Sequence, residues 1–310
     1  MSSVKDVIIY MHGITPAREP QRHTQDYDAL ESLLIPELRA RGKAYPQHRI
    51  DMEWGFDAPS VSTKDRILAA TERMLAETVS EIAGQNRDLT LNPLRPVHEL
   101  VRQYFILGLA DMFYYVSEDG KADVRQNILN TLLDRLPPLG PDETYSFTIV
   151  AHSAGSAIMH DLLFIIFGGS SKSFLSGESA GRLQTLQEYA RLGKVFVKCF
   201  VTIGALITPL IVRSRKMLEM IYNNGTLDGK LDLDSIGIRA GPIGTSRWLN
   251  FWDKDDPVSF PVAFLYHDPD DLVRDYYVDI GDIFPLVHMG YWSSKKVAEI
   301  IAEDYPVIVD

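Results

Sequence analysis

Cysteine, basic residues and long apolar runs are all scarce in this chain of 310 residues. Its single cysteine, Cys199, has no partner for an internal disulfide and lies in the apolar run KVFVKCFVTIG, which predicts a buried, inert thiol. The 31 basic residues face 42 acidic ones, and the formal net charge is −11. An acidic surface repels phosphate backbones, so nucleic acid is excluded as an expected partner.

No stretch of the chain is uniformly apolar over the length of a membrane helix. The longest candidate, residues 195–212, is interrupted by Lys198, Thr208 and Pro209, which a membrane helix tolerates poorly. The first residues, MSSVKDVIIYMHG, have the pattern of a strand and lack the features of a secretory signal. The sequence therefore predicts no integral membrane segment and a cytoplasmic location.

Apolar residues make up 45% of the chain and charged residues 24%, a balance that is typical of a globular protein with a packed core. Short apolar runs alternate with segments of helical spacing, which predicts a mostly parallel sheet with helices on both faces. No repeat or linker divides residues 1–310, so we expect a single α/β domain. The helical segments of residues 60–120 are expected to form an insertion or cap. Strands are predicted at 6–11, 49–56, 146–150, 195–203, 248–252 and 276–280.

One predicted strand runs directly into a serine that is followed by a helix. The segment SFTIVAHSAGSA, residues 146–157, has small residues two positions before and two positions after Ser153. Small residues there let strand and helix approach closely, and the sharp turn exposes the serine oxygen at a helix N-terminus, where the helix dipole favours negative charge. The pattern predicts Ser153 as a nucleophile. The plainer alternative is that Ser153 only caps the helix.

The segment AHSAG after an apolar strand resembles the nucleophile elbow of α/β-hydrolases, in particular of lipases with alanine in the first small position. The usual pattern has glycine where this chain has Ala151. The predicted order of strands and helices from Asp6 to about Ala302 also agrees with that family. The resemblance implies an α/β-hydrolase fold that lacks the first N-terminal strands of larger members.

The resemblance also implies an oxyanion hole, in which two backbone N–H groups bind the charged oxygen of an acyl-transfer intermediate. Ala154, the residue after the nucleophile, is expected to supply one donor. The segment Met11-His12-Gly13-Ile14 resembles the His-Gly motif of lipases, and this match makes Ile14 the second donor. An ordinary turn at the end of a strand is the alternative for this segment.

The family's chain order of nucleophile, acid and base restricts the choice of histidine. His160 lies two turns along the helix after Ser153 and is expected to point away from it. His288 follows the last predicted strand, and the string from His288 to Trp292 resembles a His-x-x-Tyr-Trp segment of lipase-like hydrolases. We therefore expect His288 to be the base, with His267 as the alternative.

The acid is expected in the acidic run that follows the strand 248–252. Asp256, two residues before the apolar Val258, matches the family's acid loop best, and Asp253 and Asp255 are alternatives. Its role is to hold the tautomer of the histidine and to stabilise the imidazolium.

The combined resemblance implies a serine hydrolase that cleaves carboxylic esters through an acyl-enzyme. The expected substrate is a small molecule with an apolar acyl part, and neither a cofactor nor a metal ion is expected. Two alternatives stay open: an acyltransferase or thioesterase that uses the same residues, and a non-catalytic binding module with this fold.

Overall fold

A six-stranded parallel sheet forms the centre of the molecule. Its spatial order is β6-β5-β4-β3-β1-β2, and every neighbouring pair of strands is parallel. The strands are β1 (Ser3–Met11), β2 (His48–Met52), β3 (Glu143–His152), β4 (Val195–Ile203), β5 (Arg247–Trp252) and β6 (Val273–Tyr277). The computed structural model describes residues 3–13, 20–54, 115, 118–140, 142–168, 177–212, 222–223, 226–227, 231–241 and 244–307.

Seven helices accompany the sheet in the described part of the chain, and with it they confirm the expected α/β class. They are α1 (Pro20–Ala40), α2 (Glu118–Arg135), α3 (Ala154–Phe167), α4 (Gly177–Arg191), α5 (Ile207–Val212), α6 (Leu286–Gly290) and α7 (Lys295–Asp304). Between β4 and β6 lie short elements: two-residue strands at 222–223, 226–227, 231–232, 240–241, 244–245 and 266–267, and 3₁₀ turns at 233–236 and 263–265. A third 3₁₀ turn, Tyr291–Ser293, follows α6 directly.

The strands send alternate side chains into two hydrophobic cores, one on each face of the sheet. On β1, Ile8 and Tyr10 belong to one core, and Val7 and Ile9 belong to the other. Helices α1 and α7 cover the face of Ile8 and Tyr10, whereas α2, α3 and α4 cover the opposite face. Both faces of the sheet are therefore buried, and this explains why its strands are apolar along most of their length.

The chain reverses its direction of progress across the sheet between β1 and β3. From β1 it moves to the edge strand β2, and it returns to β3 on the other side of β1 before it continues outward through β4, β5 and β6. The helix after β1 lies on one face and the helix after β3 lies on the other. Such a switch point opens a crevice at the carboxyl ends of the strands, where α/β proteins bind ligands.

The strand registers bring the ends of these segments side by side. Met11 at the end of β1 is paired with Ala151 on β3, and His152 is paired with Ile203 at the end of β4. Residues 12–13 therefore lie beside residues 152–153, which in turn lie beside residue 204.

The edge strand β6 begins three residues earlier than the predicted 276–280. Its first half carries Arg274 and Asp275, and both side chains are held by polar partners: Arg274 binds Asp304, and Asp275 accepts from Asn250. Because these residues are polar, the first half of the strand lacks an apolar pattern, and the run YYVDI overlaps only its second half. The helices predicted within residues 60–114, and thus most of the expected insertion or cap, lie outside the described residues.

Among the described helices α3 is strongly apolar: ten of its residues are buried, and seven of these belong to the core that it shares with α2 and α4. It has 14 residues, fewer than the ~20 that span a bilayer. Across the ranges that the structure describes, no helix combines the length and the apolar character needed to cross a membrane.

Candidate active site

Ser153 occupies a sharp turn between β3 and α3. Its backbone has φ 53° and ψ −127°, a conformation that a residue with a side chain adopts at a cost of about 1–3 kcal/mol. Its N–H donates to the carbonyl of Ile203 at 3.0 Å, so pairing with the end of β4 holds the turn. The side chain makes no capping hydrogen bond to α3, so helix capping does not explain this serine. Its Oγ is buried and, among the described residues, has no hydrogen-bond partner.

Two glycines bring the end of β1 against this turn. A Cβ added to Gly13 would lie 2.4 Å from the Cβ of Ser153. A Cβ added to Gly155 would lie 2.2 Å from the carbonyl oxygen of His12. Both distances are far below van der Waals contact, so only glycine fits at either position while the end of β1 and the Ser153 turn stay this close. The Ser-x-Gly and His-Gly patterns of the sequence thus meet in one packing arrangement.

His288 and Asp256 form a fully buried pair. The Nδ1 of His288 is 2.7 Å from Asp256 Oδ2, and their side chains are both 0% exposed. A carboxylate only accepts hydrogen bonds, so Nδ1 carries the proton, and in the neutral ring the lone pair lies on Nε2. His288 was expected in a loop and lies in the short helix α6.

The three aspartates after β5 have different partners. Asp253 accepts from the N–H groups of Asp255 and Ile280, at 2.9 Å and 2.6 Å, and thereby ties the loop after β5 to the loop after β6. Asp255 pairs with the exposed Lys254. Of the three, within the described chain, Asp256 is the one whose carboxylate contacts His288.

His152 and Gly204 link the histidine of this pair to the serine turn. The ring of His152 lies 4.5 Å from the ring of His288, and its Nε2 donates to the His288 carbonyl at 2.8 Å. A Cβ added to Gly204 would lie 3.1 Å from the imidazole of His288. The imidazole of His288 therefore lies next to two residues that are close to Ser153. His152 precedes Ser153 in the chain, and Gly204 follows Ile203, whose carbonyl accepts from the Ser153 N–H.

Burial holds His152 neutral, because it lowers the pKa of this imidazole well below the ordinary value, with the neighbouring His288 as a second cause. A neutral ring with its proton on Nε2 can donate to the carbonyl of His288 without bringing a second positive charge to the site. His152 thus fixes the backbone that carries His288.

His12 organises the end of β1. Its Nδ1 lies 2.6 Å from the Gly13 carbonyl, and its Nε2 accepts from the N–H of Trp54 at 3.2 Å. Its ring stacks on His23 at 3.5 Å. Burial, reinforced by His23, lowers the pKa of His12 to about 3. A neutral His12 therefore joins β1, α1 and the segment after β2.

Of the two expected oxyanion donors, the structure describes Ala154. Ala154 is the first residue of α3 and is 3% exposed, so its N–H belongs to the unsatisfied first turn of a helix. Ile14 lies outside the described residues. Of the other histidines, His160 bonds the hydroxyl of Tyr266, and His267 is exposed on a two-residue strand.

Sequence reasoning missed a partner of the acid. The hydroxyl of Tyr291 lies 3.1 Å from Asp256 Oδ2, the same oxygen that His288 contacts, and 3.3 Å from Ser259 Oγ. The signal was present in the His-x-x-Tyr-Trp string, but a string of five residues does not say what its tyrosine contacts.

A strained serine turn lies beside a buried carboxylate–imidazole pair at the carboxyl edge of a parallel sheet. An imidazole whose Nε2 carries a lone pair, with a carboxylate behind its Nδ1, has the chemistry of a general base for a hydroxyl. No protein-family model matches the chain, and no curated protein matches it as a relative.

Proposed function

We propose that this protein is a serine hydrolase with an α/β-hydrolase fold, and that it cleaves carboxylic esters. The observation that carries this proposal is the hydrogen bond of 2.7 Å between two fully buried side chains, His288 and Asp256. A buried ion-forming pair costs desolvation energy, which makes it a candidate for a functional site, and its position next to the Ser153 turn suits a base for that serine.

In the proposed reaction the Oγ of Ser153 attacks the ester carbonyl, and Nε2 of His288 takes the hydroxyl proton. Asp256 stabilises the imidazolium, which then gives its proton to the departing alcohol. The carbonyl oxygen becomes an oxyanion, to which the N–H groups of Ala154 and Ile14 donate. A water molecule attacks the acyl-enzyme by the same route, releases the carboxylic acid and restores Ser153.

A small apolar cluster supports an apolar acyl part. Ala154 and Leu206 form it, Trp54 and Val258 pack against it, and Trp54 also packs against the core on the face of α2, α3 and α4. Leu206 donates its N–H to the carbonyl of Ser153 at 3.4 Å, and Val258 donates to Asp256 Oδ1 at 3.2 Å. Apolar side chains that are tied to the site by their backbones suit a hydrocarbon substituent next to the reacting carbonyl.

The test is active-site labelling with a fluorophosphonate, which reacts with activated serines. We expect the probe to label the wild-type protein at Ser153, and to label Ser235→Ala equally, since the Ser235 hydroxyl donates to the carbonyl of Asp232 in the 3₁₀ turn 233–236. Ser153→Ala should remain unlabelled. A series of p-nitrophenyl esters should be hydrolysed, and His288→Ala should reduce kcat/KM by about 10³-fold or more.

Two outcomes would overturn the proposal. The first is a folded wild-type protein that neither reacts with the probe nor turns over any ester. The second is equal labelling of wild type and Ser153→Ala. Labelling with acyl transfer to an added alcohol or thiol, and no release of free acid, would replace hydrolysis by the transferase alternative.

A further inference from the structure

Tyr291 lies three residues after His288, in the 3₁₀ turn that continues α6. Residues at this spacing share one face of a helix, so both rings point the same way. Tyr291 is fully buried, and its hydroxyl reaches Asp256 Oδ2 at 3.1 Å. Tyr291, three residues after the candidate base, therefore contacts Asp256, the acid of the same pair.

Within the described part of the chain, the carboxylate of Asp256 has three hydrogen-bond donors. The N–H of Val258 donates to Oδ1 at 3.2 Å. His288 Nδ1 and the Tyr291 hydroxyl both donate to Oδ2, at 2.7 Å and 3.1 Å. Because the two donors share one oxygen, the negative charge that acts on the imidazole is moderated by the phenol, and the carboxylate is held in one orientation.

The rings of His288 and Tyr291 also pack against the same backbone segment, at Gly204. Gly204 has φ +57°, and a Cβ added to it would lie 3.1 Å from the His288 ring and 3.2 Å from the Tyr291 ring. The rotations of the two rings are therefore restricted by one contact surface. Burial raises the pKa of Tyr291 far above its ordinary value, with Asp256 as the second cause, so the phenol keeps its proton as a donor.

We propose that Tyr291 is a positioning residue that sets the strength of the Asp256–His288 pair, an inference that rests on the proposed hydrolase function. With the phenol present, the imidazolium is stabilised enough to form and still releases its proton to the leaving alcohol. Without it, Oδ2 acts on His288 alone, and the imidazolium becomes more stable. Because protonated His288 cannot accept the proton of Ser153, activity is then lost at a higher pH than in the wild-type protein as the pH decreases.

Two titratable groups that the described residues place near the pair are unchanged in this comparison. They are His152 at the end of β3, whose ring lies 4.5 Å from that of His288, and Asp253 on the loop after β5, whose charge acts on Tyr291. Removal of the phenol alters neither residue, so a change in the pH profile reports on the shared oxygen.

The variant Tyr291→Phe removes the hydroxyl and keeps the ring on Gly204. We expect the acid limb of kcat/KM for a p-nitrophenyl ester to move upward by about 0.5–1 pH unit, and kcat at the optimum to fall about 10-fold. The matched control is Tyr276→Phe, which removes a tyrosine hydroxyl that bonds another aspartate, Asp304, on α7. Tyr276→Phe should leave the acid limb and kcat unchanged.

A second substitution keeps the test decisive if Tyr291→Phe folds poorly. Replacement by 3-fluorotyrosine at position 291 makes the phenol a stronger donor with almost no change of shape, so the acid limb should move downward. An acid limb within about 0.2 pH unit of wild type in both variants would reduce Tyr291 to a packing role and overturn the inference. Failure of the proposed function itself is distinct, because the wild-type protein would then show neither labelling nor turnover.

Discussion

At the scale of single residues, partners distinguish groups that look alike in the sequence. Asp253 and Asp256 are both buried carboxylates in one short loop. Asp253 binds backbone N–H groups with both of its oxygens, whereas Asp256 binds the imidazole of His288 with one of its own. The first therefore shapes the loop, and the second can act on a proton.

The two aspartates should respond differently to the same change. Asp256→Asn keeps the shape but lets the histidine take the wrong tautomer, so we expect kcat to fall by about 10³–10⁴-fold. Asp253→Asn loses one acceptor for a backbone N–H, which costs about 1–3 kcal/mol of stability and leaves kcat within about threefold. Ester kinetics together with urea unfolding of both variants measure this contrast. Equal losses of kcat would contradict the assignment of the acid.

At the scale of elements, the site depends on how closely β1 approaches the start of α3. Gly155 lies in the first turn of α3, against the carbonyl of His12 and the side chain of Met11. No side chain fits there unless one element moves. The distance between the end of β1 and the start of α3 is thus set by a residue without a Cβ.

Gly155→Ala should push β1 away from α3. Because the new methyl group would lie 2.2 Å from a backbone oxygen and 2.7 Å from the Met11 Cγ, we expect a loss of about 3 kcal/mol and a loss of ester turnover. Gly181→Ala is the matched control: a Cβ added there, in α4, would meet no atom of another described element within 4 Å, and the change should stabilise the protein by about 0.5–1 kcal/mol. Denaturant unfolding measures both. A Gly155→Ala variant as stable and active as wild type would refute the packing argument.

At the scale of the whole molecule, buried neutral histidines couple stability to pH. Burial lowers the pKa of His12 to about 3, and it also lowers the pKa values of His152 and His160. In the unfolded chain each of these groups titrates near pH ~6.5. Below that pH the unfolded chain binds up to about three protons more than the folded one, so acid favours unfolding.

The free energy of unfolding should therefore fall as the pH decreases from about 6.5, and His12 should stop contributing near its folded pKa of about 3. Each group contributes up to about 1.4 kcal/mol per pH unit, and the three together up to about 4 kcal/mol per pH unit. Urea unfolding between about pH 5 and pH 7.5 measures this slope. His160→Gln should lower it by about a third. If His160→Gln kept the wild-type slope, burial of a neutral imidazole at this position would not be a source of the pH dependence.

Local patterns predicted much of the fold. Alternation and helical spacing depend on near neighbours in the chain, so the strand 195–203 was predicted with the bounds that it has, and the strand–serine–helix turn was recognised from twelve residues. The parallel sheet with helices on both faces also follows from these patterns. The first half of the edge strand β6 was not predicted, because its polar side chains find partners elsewhere in the fold.

The amino-acid sequence by itself determined which residue types stand at the ends of the strands: a serine, two glycines, an acidic run and a late histidine. Only the tertiary structure decided which of these residues touch. Asp256 meets His288 across 32 positions of the chain, and Tyr291 reaches the same oxygen across 35. Hydrogen bonds of this kind depend on the register and twist of the whole sheet, which no local pattern encodes, so the choice among the three aspartates and the contact of Tyr291 required the folded molecule.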